Sequence, residues 1–285
     1  MMGIIKEEIL TTVRKKRFII LMALVFIGAL VMTVITKNGY WNDQTFLFAM
    51  LKYITNYFNT AVGLILIFSV YRRKYTRSSI EQVEGHGVKR STGVIARAIA
   101  GSVIIWVCYS LMLLFILLLG LVFGAQNSGM QVAVIATKLG LDCVAAITAY
   151  VISLFWLYLF AFPIVPWLVD FILIFFLPWV FTDIDNYANI LFRVCTFISP
   201  KCAMDVFFTS VILANPQWLY LLICIGHIVL AILLSMLVFK FKKKERKKKK
   251  KKKKGAAEEL AEEIAADPEI SEMLEQAEQI EGIVE

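Results

Sequence analysis

The charged side chains Lys138, Asp142 and Asp170 fall inside long apolar runs of this chain. An ionisable group at membrane depth is a functional candidate by default, because removing it from water is costly. Lys138 and Asp142 share one helix face, a turn apart, and can neutralise each other there. A self-satisfied pair near the boundary of its run is the plainer reading. Asp170, toward the inner end of the next run, is the more informative residue. The remaining repertoire is thin. The only histidines are His86 and His227, too few for an H-E-x-x-H zinc motif or a His-rich metal cluster. No G-x-S-x-G elbow is present. The string Gly85-His86-Gly87-Val88-Lys89-Arg90-Ser91-Thr92 lacks the G-x-x-x-x-G-K-[ST] spacing of a phosphate loop, so the chain is not expected to hydrolyse ATP alone. Cys108, Cys143 and Cys224 lie in apolar runs and read as small packing residues. Cys195 and Cys202 share a more polar segment and are open to pairing. No C-x-x-C spacing suggests zinc. No metal, cofactor or catalytic residue is expected.

One polar interruption has the pattern of a built contact: Ser78–Arg90, SSIEQVEGHGVKR. Ser78-x-x-Glu81 forms a capping box, in which the serine oxygen accepts a backbone N–H and the glutamate reaches back to the cap. Ile80 and Val83 then project from one side of a short helix. Gly85 and Gly87 stop it, since either adopts positive φ cheaply. Ser91 is placed to cap the next helix. A short rigid helix between two membrane helices is a lever that passes force to both. An ordinary loop with one helical turn fits the same residues.

The elements around these residues are apolar helices. The chain has 285 residues, is 59% hydrophobic and has a mean hydropathy of +0.73, well outside the range of soluble domains. A bilayer core requires about 20 apolar residues per spanning helix. Runs at about 18–36, 50–71, 98–123, 134–158, 160–181 and 218–239 meet that length. An all-α, six-helix polytopic membrane domain over residues 18–241 is therefore expected. The fourth and fifth runs meet near Pro163 and Pro166, where their boundary is uncertain by several residues. The runs are continuous instead of alternating, which argues against a membrane barrel. The first run exceeds a signal-peptide core and lacks an A-x-A-like site, which makes it a retained anchor.

Residues 1–17 read as an interfacial amphipathic helix. Ile5, Ile9 and Val13 stack along one face with Leu10 beside them, opposite Lys6, Glu7, Glu8, Arg14 and Lys15. Twenty-five of the thirty Lys and Arg residues fall in the termini and the loop after the second run, which places both termini in the cytoplasm of a multi-pass cell-membrane protein. The net charge of +8 comes from this membrane-proximal excess. Anionic lipid headgroups, worth about 1 kcal/mol per basic residue, are the expected partner; nucleic acid is not. Residues 182–217 form an outer segment of mixed character, with short helices expected to dip into the leaflet without crossing. Residues 242–285 form a separate cytoplasmic tail, Lys-rich to Lys254 and acidic and helical beyond Gly255. Its basic block should adhere to lipid, and its acidic part either folds back or docks a partner.

In order and spacing, residues 3–245 resemble the permease subunits of ATP-binding-cassette exporters of the ABC-2 type. The resemblance rests on four features: IIKEEILTTVRKKRF leading into the first run, SSIEQVEGHGVKRSTGVIARAIAGSVI after the second, Ile198-Ser199-Pro200 after the fifth, and a last run ending FKFKKKE. It implies a chain without a nucleotide site that pairs with a second permease, identical or not, and with two separate ATPase subunits that bind ATP and Mg. Ser78, Ser79, Ile80, Glu81, Val83, Glu84 and Gly85 would form the ATPase-coupling helix. Ile80 and Val83 would be its apolar anchors, and Glu81 and Glu84 its rim charges. The helix over residues 3–17 would brace that contact. The implied cargo is amphipathic or lipid-like, for instance a peptide antibiotic. The tail departs from the family's short ending and has no transport role in this reading. The competing class is a non-transport membrane protein, either an intramembrane enzyme or a scaffold that works through its charged tail.

Overall fold

A computed structural model of the chain describes residues 2–37, part of 49–65, and residues 90–123, 129–160, 164–182 and 190–238. Met1–Met236 forms one compact unit and Leu237–Glu285 a second. All secondary structure among the described residues is helical. The helices are α1 (Met2–Val13), α2 (Lys16–Lys37), α3 (Arg90–Phe123), α4 (Gly129–Phe160), α5 (Ile164–Phe171), α6 (Leu177–Thr182), α7 (Ile190–Ile198), α8 (Pro200–Ile212) and α9 (Leu219–Val238). A π-helical turn, Ile172–Phe176, joins α5 to α6.

Four of these helices are long and apolar enough to cross a membrane: Lys16–Ile35, Thr92–Phe123, Val132–Phe160 and Leu219–Val238. They mark the chain as a membrane protein. The expected second run lies largely outside the described residues. The expected fifth run is realised as Ile164–Val180, shorter than the other four. At 1.5 Å per residue it reaches only about 26 Å, less than a hydrocarbon core. The boundary after the fourth run falls between Phe160 and Ile164. The third run starts earlier than expected, because the helix continues without a break from Arg90. Nothing in Arg90–Ala98 breaks a helix, and Arg97 is accommodated by pairing.

Burial ranks the helices. Of the most apolar stretch of each, 61% is buried in α4 but only 22% in α2 and 17% in α9, so α4 is the centre and α2 and α9 are the periphery. The α4 sequence explains this position. Ala145, Ala146, Thr148, Ala149 and Ser153 are all buried, and small residues let neighbouring backbones approach where no hydrophobic force drives helices together. On one side Ala145 packs with Ala203, Met204 and Phe207 of α8 and Cys224 of α9. On another, Ala149 packs with Leu173 and Ile174 of the π-helical turn. Gly101 of α3 faces Tyr150 so closely that a Cβ there would sit 2.1 Å from the ring. Gly28 similarly admits Tyr53, whose hydroxyl donates to the Val25 carbonyl. Several other helical hydroxyls are satisfied within their own helices: Thr33 donates to Ala29, Ser102 to Ala98, Thr148 to Val144 and Ser235 to Ala231, each at 2.7–2.9 Å.

α1 packs against α3 and touches α2. Its buried face differs from the stripe expected above. Ile5 and Ile9 are half-buried and Thr12 is fully buried, but Val13 and Leu10 are exposed. Glu8 turns inward to meet Arg97 Nε at 3.4 Å. That pairing rotates the helix so that polar Glu8 and Thr12 face inward and Val13 faces out.

Candidate functional site

Lys138 and Asp142 stand one turn apart on α4 and contact each other at 3.2 Å. They do not form a closed pair. A second Lys-x-x-x-Asp pair, Lys201 and Asp205 on α8, interleaves with them. Lys201 Nζ lies 2.8 Å from Asp142 Oδ1 and 2.6 Å from Asp205 Oδ1, and Lys138 donates to Asp205. Each ammonium therefore bridges one carboxylate from each helix, and the junction is neutral overall. Asp142 and Lys201 have no exposed surface, and Asp205 is one-third exposed. Lys138 also lies 5.2 Å above the Phe208 ring, a cation–π contact.

The expectation of a self-contained pair near a boundary is thus corrected. Asp142 is wholly inside the protein, about 15 Å along α4 from Val132, and needs the partner that α8 supplies. The signal was present in the sequence, because Lys201 and Asp205 repeat the spacing of Lys138 and Asp142. Residues 182–217 read as an outer segment of mixed character with short helices, and that reading does not place Lys201 and Asp205 against α4. Burial alone would raise the Asp205 carboxyl. Lys201 and Lys138 beside it outweigh that and hold it below the ordinary carboxylate value.

The local sequence explains why α8 presents Lys201 at that depth. Leu177 N–H bonds to the Ile172 carbonyl across the π-helical turn. The next donor in that register would be residue 178, a proline without an N–H. The Leu173 carbonyl is left over, and Ser199 Oγ donates to it at 2.6 Å. The same oxygen accepts from Cys202 N–H at 3.2 Å and so caps α8, with Pro200 in the first turn. Ile198-Ser199-Pro200 is therefore the joint that fixes α8 to the α5–α6 bend and places Lys201 one residue into the helix. At its other end, α8 closes through Ala214, whose φ of 55° is left-handed, with Asn215 N–H bonding to the Ser210 carbonyl at 2.9 Å.

A second polar contact lies where α3 begins and α4 finishes. Besides the Glu8–Arg97 pair, the Tyr150 hydroxyl donates to the Arg97 carbonyl at 3.5 Å, and Tyr158 adjoins the Arg97 side chain. Between the two ends, Tyr109 donates to Asn59 Oδ1 at 2.5 Å. Asp170, at the end of α5, is buried and is not part of the four-charge junction. All five cysteines are free and buried, Cys195 and Cys202 included, and burial pushes the Cys202 thiol up to about 11. Among the described residues no cluster of His, Cys, Asp or Glu is placed to hold a metal. Ser78, Ser79, Ile80, Glu81, Val83, Glu84 and Gly85 lie outside the described residues, as does the tail beyond Val238.

Both ammonium groups and both carboxylates of the four-charge junction bond to one another, Asp142 through Oδ1 alone, and Asp142 Oδ2 has no hydrogen-bond partner among the described residues. A buried ion network of this kind holds two helices in one register, because breaking it leaves uncompensated charge. No protein-family model matches the chain, and no curated protein matches it.

Proposed function

We propose that the chain is the membrane-spanning permease subunit of an ATP-binding-cassette exporter of the ABC-2 type, with six spans and both termini cytoplasmic. It would work with separate ATPase subunits, which bind the ATP and Mg, and with a second permease. The observation that carries the reading is the Glu8–Arg97 contact. It joins the amphipathic helix that precedes the first span to the base of α3, the helix that directly follows the Ser78–Gly85 stretch.

In this reading the ATPase grips Ser78–Glu84 through Ile80 and Val83. Closure of the ATPases displaces α3, which runs 34 residues without interruption and so moves as a rod. α1 moves with it through Glu8. α3 pushes α4 through the Gly101–Tyr150 contact, and α4 carries α8 through the four-charge junction. The cycle shifts an inward–outward equilibrium by as much as the ATPases bind the two states differently. The cargo is amphipathic or lipid-like. The Lys-rich block of the tail holds the chain to anionic lipid.

Purification of the chain from its native membrane, with identification of the bound subunits, tests the proposal. An ATPase carrying a phosphate loop should accompany it, and Ile80→Asp with Val83→Asp should abolish that capture at unchanged expression. Capture that survives the substitutions removes the docking assignment. A complex without any ATPase overturns the exporter reading.

A further inference from the structure

Asp170 is unlike the other buried charges of the described structure. It is 1% exposed, and neither carboxyl oxygen has a hydrogen-bond partner among the described residues. Lys138 and Lys201 are ion-paired with Asp142, through its Oδ1, and with Asp205, and Arg97 meets Glu8. Around Asp170, by contrast, Val169, Leu173 and Ile174 pack on Ala149 and Ile152 of α4. The ionisable groups that face Asp170 or lie on the packed elements are Tyr109 of α3, whose hydroxyl donates to Asn59, Lys138, Asp142, Cys143, Tyr150 and Tyr158 of α4, and Lys201, Cys202 and Asp205 of α8. The two ammonium groups among them are already bonded to Asp142 and Asp205. An isolated carboxylate in such surroundings is strongly unfavourable, whereas the neutral acid is tolerated. A proton is also the one cation that can neutralise a fully enclosed carboxyl without needing a cavity.

We propose that Asp170 is a proton-binding site, a carboxylic acid in the resting bundle that releases its proton when α5 bends at the adjacent π-helical turn. The turn begins two residues after Asp170, and its Leu173 carbonyl bonds to Ser199 and not within its own helix. α5 can therefore swing relative to α6 without breaking a complete α-helical ladder. On release the O–H bond breaks, the proton passes to an entering water, and the carboxylate remains solvated until the turn closes again. This goes beyond the exporter reading and does not depend on any ATPase.

The full-length protein in detergent micelles, treated with dicyclohexylcarbodiimide, tests the site. That lipid-soluble reagent adds to protonated carboxyl groups and leaves an N-acylurea that peptide mass spectrometry locates. Near neutral pH the Asp170 peptide should be modified at least about tenfold more than the Asp142 peptide, whose carboxyl is ion-paired with Lys138 and Lys201. The adduct should fall in alkaline buffer and vanish in Asp170→Asn. Because Asn is a neutral isostere of the protonated acid, Asp170→Asn should melt at the same temperature as the unaltered protein, while Asp142→Asn melts lower. An unmodified Asp170, equal modification of Asp142, or an Asp170→Asn variant as unstable as Asp142→Asn would each overturn the proposal.

Discussion

Lys201 Nζ lies 2.8 Å from Asp142 Oδ1, with neither side chain exposed, although the two residues are 59 positions apart. This contact decides how α8 sits on α4. Removing one partner leaves a buried charge uncompensated, at a cost of about 3–5 kcal/mol. Lys201→Met should therefore lower the melting temperature sharply, whereas Lys6→Met on the exposed side of α1 should not. Adding Asp142→Leu to Lys201→Met should recover stability, since Lys138 and Asp205 still neutralise each other. A thiol-reactive dye follows unfolding directly, because all five cysteines are buried in the native state. Additive losses in the double variant would count against the junction.

The same junction sets a pH dependence. Asp205 is held below the ordinary carboxylate value because the ammonium groups of Lys201 and Lys138 outweigh its burial. A carboxyl lowered in the folded state adds stability that is full above its unfolded value. That stability is lost as pH falls through the folded value. Asp205→Asn should thus melt below the unaltered protein at neutral pH, and the gap should close only in buffer below about pH 4, the unfolded aspartate value. A gap that stays constant on acidification would show that Asp205 does not depend on those lysines.

Gly101 and Gly93 should respond oppositely to alanine. A Cβ on Gly101 would collide with the ring and hydroxyl of Tyr150, which is fully enclosed, so α3 and α4 must separate. Overpacking of this kind costs about 1–3 kcal/mol. A Cβ on Gly93 meets nothing within 4 Å, so Gly93→Ala should gain about 0.5–1 kcal/mol from helix propensity. Melting temperatures of the two variants give the sign of each, and equal signs would contradict the α3–α4 packing.

The parts legible in the sequence are those set by one helix at a time. Apolar length located α2 and α9, whose flanks are basic or aromatic. The Lys138–Asp142 spacing announced a pair on one face. What needed two helices was hidden. Lys201 and Asp205 carry the same spacing, but nothing local says that their segment folds against the middle of α4. Helical periodicity predicted an amphipathic α1 without saying which face meets α3, and the attraction of Glu8 for Arg97 left Val13 exposed. The fifth run is interrupted by a π-helical turn, because Pro178 has no N–H to continue the ladder. The consequence of that proline appears 21 residues later, at Ser199.

Ser199 connects these elements, and its role can be dissected. Ser199→Ala removes both the cap on Cys202 N–H and the donor to the Leu173 carbonyl. A lost cap costs about 1 kcal/mol, and an orphaned buried carbonyl about 1–3 kcal/mol. Ser199→Gly loses little of the cap, since glycine is tolerated there, so its remaining cost reports the Leu173 bond alone. Pro178→Ala restores an N–H beside that carbonyl and lets the π-helical turn relax to regular helix. In the Pro178→Ala background Ser199→Ala should therefore cost less by about 0.5–3 kcal/mol, the coupling expected of groups sharing one acceptor. Melting temperatures of the four proteins close the cycle. If Ser199→Ala costs the same in both backgrounds, the proline is not what creates the demand that Ser199 meets.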